Sequence, residues 1–149
     1  MRKILTIIVF LFLGLWGCQG QIKAQISGFA VYDKVEGEFL FKAISPEGVK
    51  VQVSEKDNYP NTANLDFWQK AIEKYIPQKG YRLIKRGKTD RGRYFVFLVP
   101  GVKLDYFYFI HYEIKKEKIR LTEAGGRYAF LKMYQDSIIK FSKTDWKEK

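Results

Sequence analysis

The chain is poor in several residue types, and each shortage excludes something. Cys18 is the sole cysteine among 149 residues, so no internal disulfide can form. His111 is the sole histidine, which rules out a histidine-rich metal site. Four prolines leave no room for a proline-rich linker, and neither a repeat nor a low-complexity tract interrupts the sequence. Phosphate-loop spacing, Cys-x-x-Cys and a Gly-x-Ser-x-Gly nucleophile context are all missing. Acid is scarce too: 16 Asp and Glu face 27 Lys and Arg, a net charge of +11. The longest uncharged, largely aliphatic run is Ile4 to Trp16, 13 residues. At about 1.5 Å per residue that is ~20 Å of helix, short of a ~30 Å hydrocarbon core.

That run follows Arg2 and Lys3 and precedes Leu15-Trp16-Gly17-Cys18, the arrangement of an export leader. An Ala-x-Ala cleavage site is missing. The segment instead resembles a lipobox, with an aliphatic residue at −3, a small one at −1 and cysteine at +1; Trp16 at −2 departs from the pattern. The resemblance implies a bacterial lipoprotein that is exported, cut before Cys18 and acylated there, facing the periplasm from the inner or outer membrane. An uncleaved anchor and plain secretion are the alternatives. Two or three acyl chains on Cys18 would hold the protein firmly, where one holds it only marginally. The expected organisation is a signal peptide over residues 1–17, a lipidated tether over 18–25 and one domain over 26–146.

Removing 17 residues leaves 132, enough for one hydrophobic core. It also removes Arg2 and Lys3, lowering +11 to +9. The basic residues Lys85, Arg86 and Lys88, with Lys115, Lys116 and Lys118, are candidate contacts for anionic headgroups or acidic polysaccharide. A solvated surface with lysine-rich turns is the competing reading. Export argues against nucleic acid as a partner.

Hydrophobic patterning predicts an α+β fold. Phe39, Phe41 and Ala43 share one face of a candidate strand, Val49, Val51 and Val53 share one face of the next with Lys50 and Gln52 opposite, and Ser45-Pro46-Glu47-Gly48 between them suits a type I turn. A helix follows from an Asn64 cap, with Leu65, Trp68, Ala71, Ile72, Tyr75 and Ile76 at helical spacing, ended by Pro77 and Gly80. Strands are expected at 81–85, 94–99, 105–114 and 119–123, with a weaker one at 28–32. The run 94–99 is apolar on both faces and so belongs at the centre of the sheet. Gly125-Gly126 is expected to open a last helix lined by Phe130, Met133, Tyr134, Ser137, Ile138 and Phe141. Short connections demand antiparallel pairing. The expected architecture is therefore an antiparallel sheet of five to seven strands between two amphipathic helices.

The succession Ile44 to Gly48, the helix around Trp68, and Leu121-Thr122-Glu123-Ala124-Gly125-Gly126 leading into an amphipathic helix resembles the PsbP-like and DcrB-like α/β/α sandwich over most of residues 27–142. That group is largely non-enzymatic, so the resemblance implies an accessory or binding role and no cofactor.

Candidate chemistry is thin. His111 with Glu113 on one strand face is two ligands without a local cluster, and an interface or structural histidine is the preferred reading. Gly125-Gly126 before a helix is read as a tight connection rather than an anion site. Tyr106, Tyr108 and Tyr112 share one face of their strand, either as cross-strand packing or as an exposed tyrosine surface for a protein or glycan. Trp68 is read as core. The expected function is a non-enzymatic, membrane-anchored interaction module with an envelope protein partner. The alternative is a carrier or enzyme, with polar groups converging on a pocket at His111, Glu113 or Glu123.

Overall fold

The computed structural model describes residues 24–144. The expected signal peptide, Cys18 and the end of the expected 26–146 domain fall outside them. Seven strands form one antiparallel sheet: β1 (Ala30–Val31), β2 (Phe39–Ile44), β3 (Lys50–Asp57), β4 (Arg82–Lys88), β5 (Gly92–Val99), β6 (Tyr106–Lys115) and β7 (Lys118–Arg127). Their spatial order is β1-β2-β3-β7-β6-β5-β4. Among the described residues there are two α-helices, α1 (Leu65–Tyr75) and α2 (Leu131–Ser142). The predicted α+β class holds, but the run 94–99, in β5, lies one strand from the β4 edge and not at the centre, which β7 occupies; it is apolar on both faces because a helix layer covers each.

Turn chemistry sets the hairpins. Between β2 and β3, Gly48 donates to the Ser45 carbonyl at 3.0 Å, and Ser45 Oγ accepts from the Val49 amide at 3.1 Å. Gly48 takes φ 81°, a conformation that needs no Cβ there. The β6–β7 hairpin closes on Lys116-Glu117, with Lys116 at φ 58°.

Side-chain alternation on β6 divides the core. Phe107 and Phe109 join Phe41, Ala43, Val51, Val53, Val96 and Ala124 beneath Leu131, Tyr134, Ile138 and Phe141 of α2. Ile110 and Tyr112 point the other way and join Phe95, Phe97 and Ile119 beneath Ile72 of α1. The two helices thus cover opposite faces of the sheet. α1 starts where Asn64 Oδ1 accepts the Phe67 amide at 2.9 Å, and its chain turns away at Gly80, φ 84°.

Two further expectations need correcting. Gly125 and Gly126 do not open α2; they continue β7 to Arg127, and the helix starts at Leu131. A Cβ on Gly126 would lie 2.8 Å from Val49 Cγ2, so the glycine lets two chain segments approach within the sheet. The helix stripes are also narrower than their spacing suggests. Tyr75 and Met133 are exposed, and Leu131 takes the core position on α2. The β6 tyrosines follow the packing reading rather than the exposed-surface one: Tyr112 is fully buried and Tyr108 half-buried, with Tyr106 exposed at the strand end.

Candidate functional site

One end of the α2 face is polar. Register places Gly92, Glu113, Arg120 and Glu55 in a row across β5, β6, β7 and β3. Arg120, 4 % exposed, donates to Glu55 Oε2 from Nη2 at 2.8 Å and from Nε at 3.2 Å. Its Nη1 stands 4.0 Å from Glu113 Oε1. Burying a charge is costly unless it is paired, and this row supplies the pairing. Beside it lies a cavity of about 400 Å³ lined by Arg91, Glu113, Ile114, Lys115 and Arg120.

His111 sits one row further in, 2 % exposed, between Tyr94 and Thr122. Its Nε2 lies 3.0 Å from Thr89 Oγ1, which accepts the Gly92 amide at 2.9 Å. With the ring proton on Nδ1, the threonine hydroxyl donates to Nε2. Gly92 is required here, because a Cβ would fall 2.0 Å from the Tyr112 carbonyl oxygen and 3.0 Å from His111 Nε2. Burial, and next the Arg91 charge, push the imidazole down to about 4. His111 is therefore neutral at neutral pH. The pair has nucleophile–base spacing, but an imidazole shifted that low is a weak base. Among the described residues, no group of three or more His, Cys, Asp or Glu is placed to hold a metal.

Glu123 belongs elsewhere. On the α1 face it accepts from Tyr108 Oη at 2.5 Å and from Gln52 Nε2 at 3.2 Å. Burial, and then the Glu123 carboxylate, raise the Tyr108 phenol well above its ordinary range, so it stays a donor. Tyr112 Oη donates to the Leu65 carbonyl at 2.7 Å, and Trp68 Nε1 donates to Asn58 Oδ1 at 2.8 Å. Tyr112 and Trp68 thus fasten α1, while Tyr108 is tied to Glu123 within the sheet.

The six candidate cations do not converge. Lys85 pairs with Val96 and points to the α2 face, whereas Arg86 and Lys88 pair with Phe95 and Arg93 and point to the α1 face. Lys115 and Lys118 close the β6–β7 hairpin, and Lys116 is at its tip. Arg86 is bound by Glu73 and Lys118 by Asp57, each at 2.6 Å. Strand alternation separates charges that are adjacent in sequence.

What the sequence reading missed is the edge beside them. β4 ends the strand order and has β5 on one side only. All of its residues are exposed except half-buried Gly87, including Leu83 and Ile84, and it carries Arg82, Lys85, Arg86 and Lys88 with no acid. Between it and α1 lies a groove of about 440 Å³ lined by Asp66, Gln69, Arg86, Gly87, Lys88, Arg93 and Phe95. Arg93 Nη1 is held by Asp66 at 2.6 Å and Gln69 at 2.5 Å. The Arg93 hydrogen bond, then its charge, hold the Asp66 carboxyl below its ordinary value. An all-exposed β4 was detectable in Leu83 to Lys88, which has no alternation of apolar and polar residues.

No protein-family model matches the chain, and no curated protein matches it. Among solved structures it is similar to Pseudomonas aeruginosa PA94, a protein of unknown function described as a candidate regulator. The TM-score is 0.57 at 12% identity, over 83% of this chain and 99% of that one. At that identity the likeness shows a shared fold alone. A PsbP-like protein, Synechocystis CyanoP, is also among the neighbours, with a TM-score of 0.43 and 7% identity over 76% of this chain and 78% of that one. Among the described residues, no helix is long and apolar enough to cross a membrane.

Proposed function

We propose that this protein is a lipid-anchored lipoprotein of the bacterial envelope that acts by binding a protein partner, without chemistry of its own. The observation that carries the reading is the seven-residue β4 edge, exposed along its length and flanked by the α1 groove. An unpaired strand edge offers a row of main-chain donors and acceptors to an incoming strand. Cations on β4 favour an acidic partner segment and discourage self-association, since two such edges repel. The paired state of Arg120 and the low basicity of His111 favour a structural role for the polar end.

Benzoylphenylalanine placed at Ile84 in cells tests the partner surface. One discrete protein adduct at 84, and none from the same probe at Met133, is expected. Adducts at neither position count against the reading. Labelled palmitate tests the anchor: wild-type protein should take up label and Cys18→Ala should not.

The cavity at Glu113 favours one second reading, a small-ligand carrier, because Arg91 and Lys115 line it with cations. That reading expects small carboxylates to raise the melting temperature and Arg91→Ala to abolish the rise.

A further inference from the structure

The β5–β6 connection exposes apolar side chains from a braced backbone. The Gly101 amide lies 3.4 Å from Asp105 Oδ1, and the Asp105 carbonyl accepts the Tyr128 amide at 2.9 Å. A Cβ on Gly101 would fall 2.0 Å from the Leu104 carbonyl oxygen, so the loop closes tightly on itself. At its tip Val102 is 104 % exposed, and Leu104, Tyr106 and Tyr128 are also exposed. Lys103 sits between the two aliphatic residues, and Arg127 pairs with Tyr106 at the same end of the sheet. Aliphatic tip, flanking tyrosines and nearby cations are the combination that suits a membrane interface. The aliphatic groups leave water, the phenols sit at headgroup level, and the cations meet anionic phosphates.

The chain start lies against the C-terminal half of α2, away from the loop, and the reach of the tether decides whether both can meet one bilayer. Gln25, Ile26 and Ser27 lie beside Asp136, Ser137 and Lys140 of α2. From there the chain runs toward the helix start, where Phe29 packs on Tyr134 with ring centroids 5.0 Å apart. The six steps from Cys18 to Ala24 reach at most ~20 Å, close to the ~18 Å length of the 12-residue α2. An anchor at Cys18 can therefore share one bilayer with the loop.

We propose that the 100–104 loop is a second membrane contact, inserting Val102 and Leu104 into the interface of an anionic bilayer and so fixing how the domain stands on it. The proposal rests on the lipid-anchor reading for its orientation, and its test separates the two. Acylation blocks the Cys18 thiol, so Val102→Cys in the lipidated full chain takes a single environment-sensitive fluorophore. The protein is reconstituted in vesicles of phosphatidylethanolamine and phosphatidylglycerol with brominated acyl chains. The expected result is a blue-shifted label quenched at least twofold, while the same label on Lys116→Cys at the opposite end stays aqueous. A label at 102 that stays aqueous overturns the proposal. A blue-shifted label that bromine does not quench also overturns it, because protein then covers the loop. Palmitate incorporation is read on the same sample: an acylated protein with an aqueous label loses the loop contact and keeps the anchor. A Cys18→Ser, Val102→Cys variant cannot be acylated and takes label at 102 alone; quenching in it keeps the loop contact without the anchor, and an aqueous label in both proteins loses the loop contact.

Discussion

The two faces of the sheet are held by different means. On the α2 face the helix buries Leu131, Tyr134, Ile138 and Phe141 against a broad aliphatic and aromatic layer. On the α1 face the helix fully buries only Ile72, and much of its attachment is polar, through Tyr112 to Leu65 and Trp68 to Asn58. Hydrophobic burial scales with area, whereas a neutral hydrogen bond contributes only about 1 kcal/mol net. The α2 layer should therefore carry most of the global stability, and α1 should be able to open locally while the sheet persists. The proposed partner surface lies on the side that opens.

The strongest way to break this contrast is Phe109→Ala, which hollows the α2 layer. It should cost roughly 3–5 kcal/mol in urea unfolding. A cost equal to that of Ile72→Ala would mean that the faces are alike. Acid should come next. The His111 imidazole at about 4 lies below its unfolded value near 6.5, so between those limits the unfolded chain binds the proton first. The stabilisation is complete above pH 6.5 and is lost as pH falls toward 4, by an amount on the order of 3 kcal/mol. His111→Gln should flatten the urea midpoint across that window. The lowered carboxyls of Glu47 and Asp66 act below it, as pH falls through their depressed values.

Tyr112→Phe keeps the ring and removes one donor to α1. A loss of about 1 kcal/mol is expected, and amide exchange in α1 should speed up while that in α2 does not. Equal acceleration in both helices would contradict separate opening. The smallest effect should come from Lys116→Gly in the β6–β7 turn, where φ 58° burdens a side chain. It should raise stability by about 0.5–1 kcal/mol without changing either helix's exchange relative to the other.

Much of the fold was legible because its signals are local. Alternation at Phe41, Ala43, Val51 and Val53 marked buried strand faces, Asn64 marked a helix start, and Ser45 to Gly48 marked a turn. The glycines at 125 and 126 misled because what they approach, the Phe107 carbonyl at Gly125 and Val49 at Gly126, is distant in sequence. The candidate site was much less legible. Lys85, Arg86 and Lys88 are neighbours in the chain, yet strand alternation sends them to different faces. The exposure of Val102 and the freedom of the β4 edge depend on strand order, which no local pattern contains.

That strand order also bears on the time course of folding. The β4–β5, β5–β6 and β6–β7 pairs are hairpins between chain neighbours, as is β2–β3. Strand pairing joins the two halves where β3 meets β7, across 61 residues at Lys118 and Asp57 and 71 at Gln52 and Glu123. Closing so long a loop is entropically slow compared with zipping a hairpin. The β4–β7 meander should therefore be paired before β3 arrives, leaving β7 as a temporary edge. During folding that unpaired strand, rather than the finished β4 edge, is the one a wrong neighbour would find.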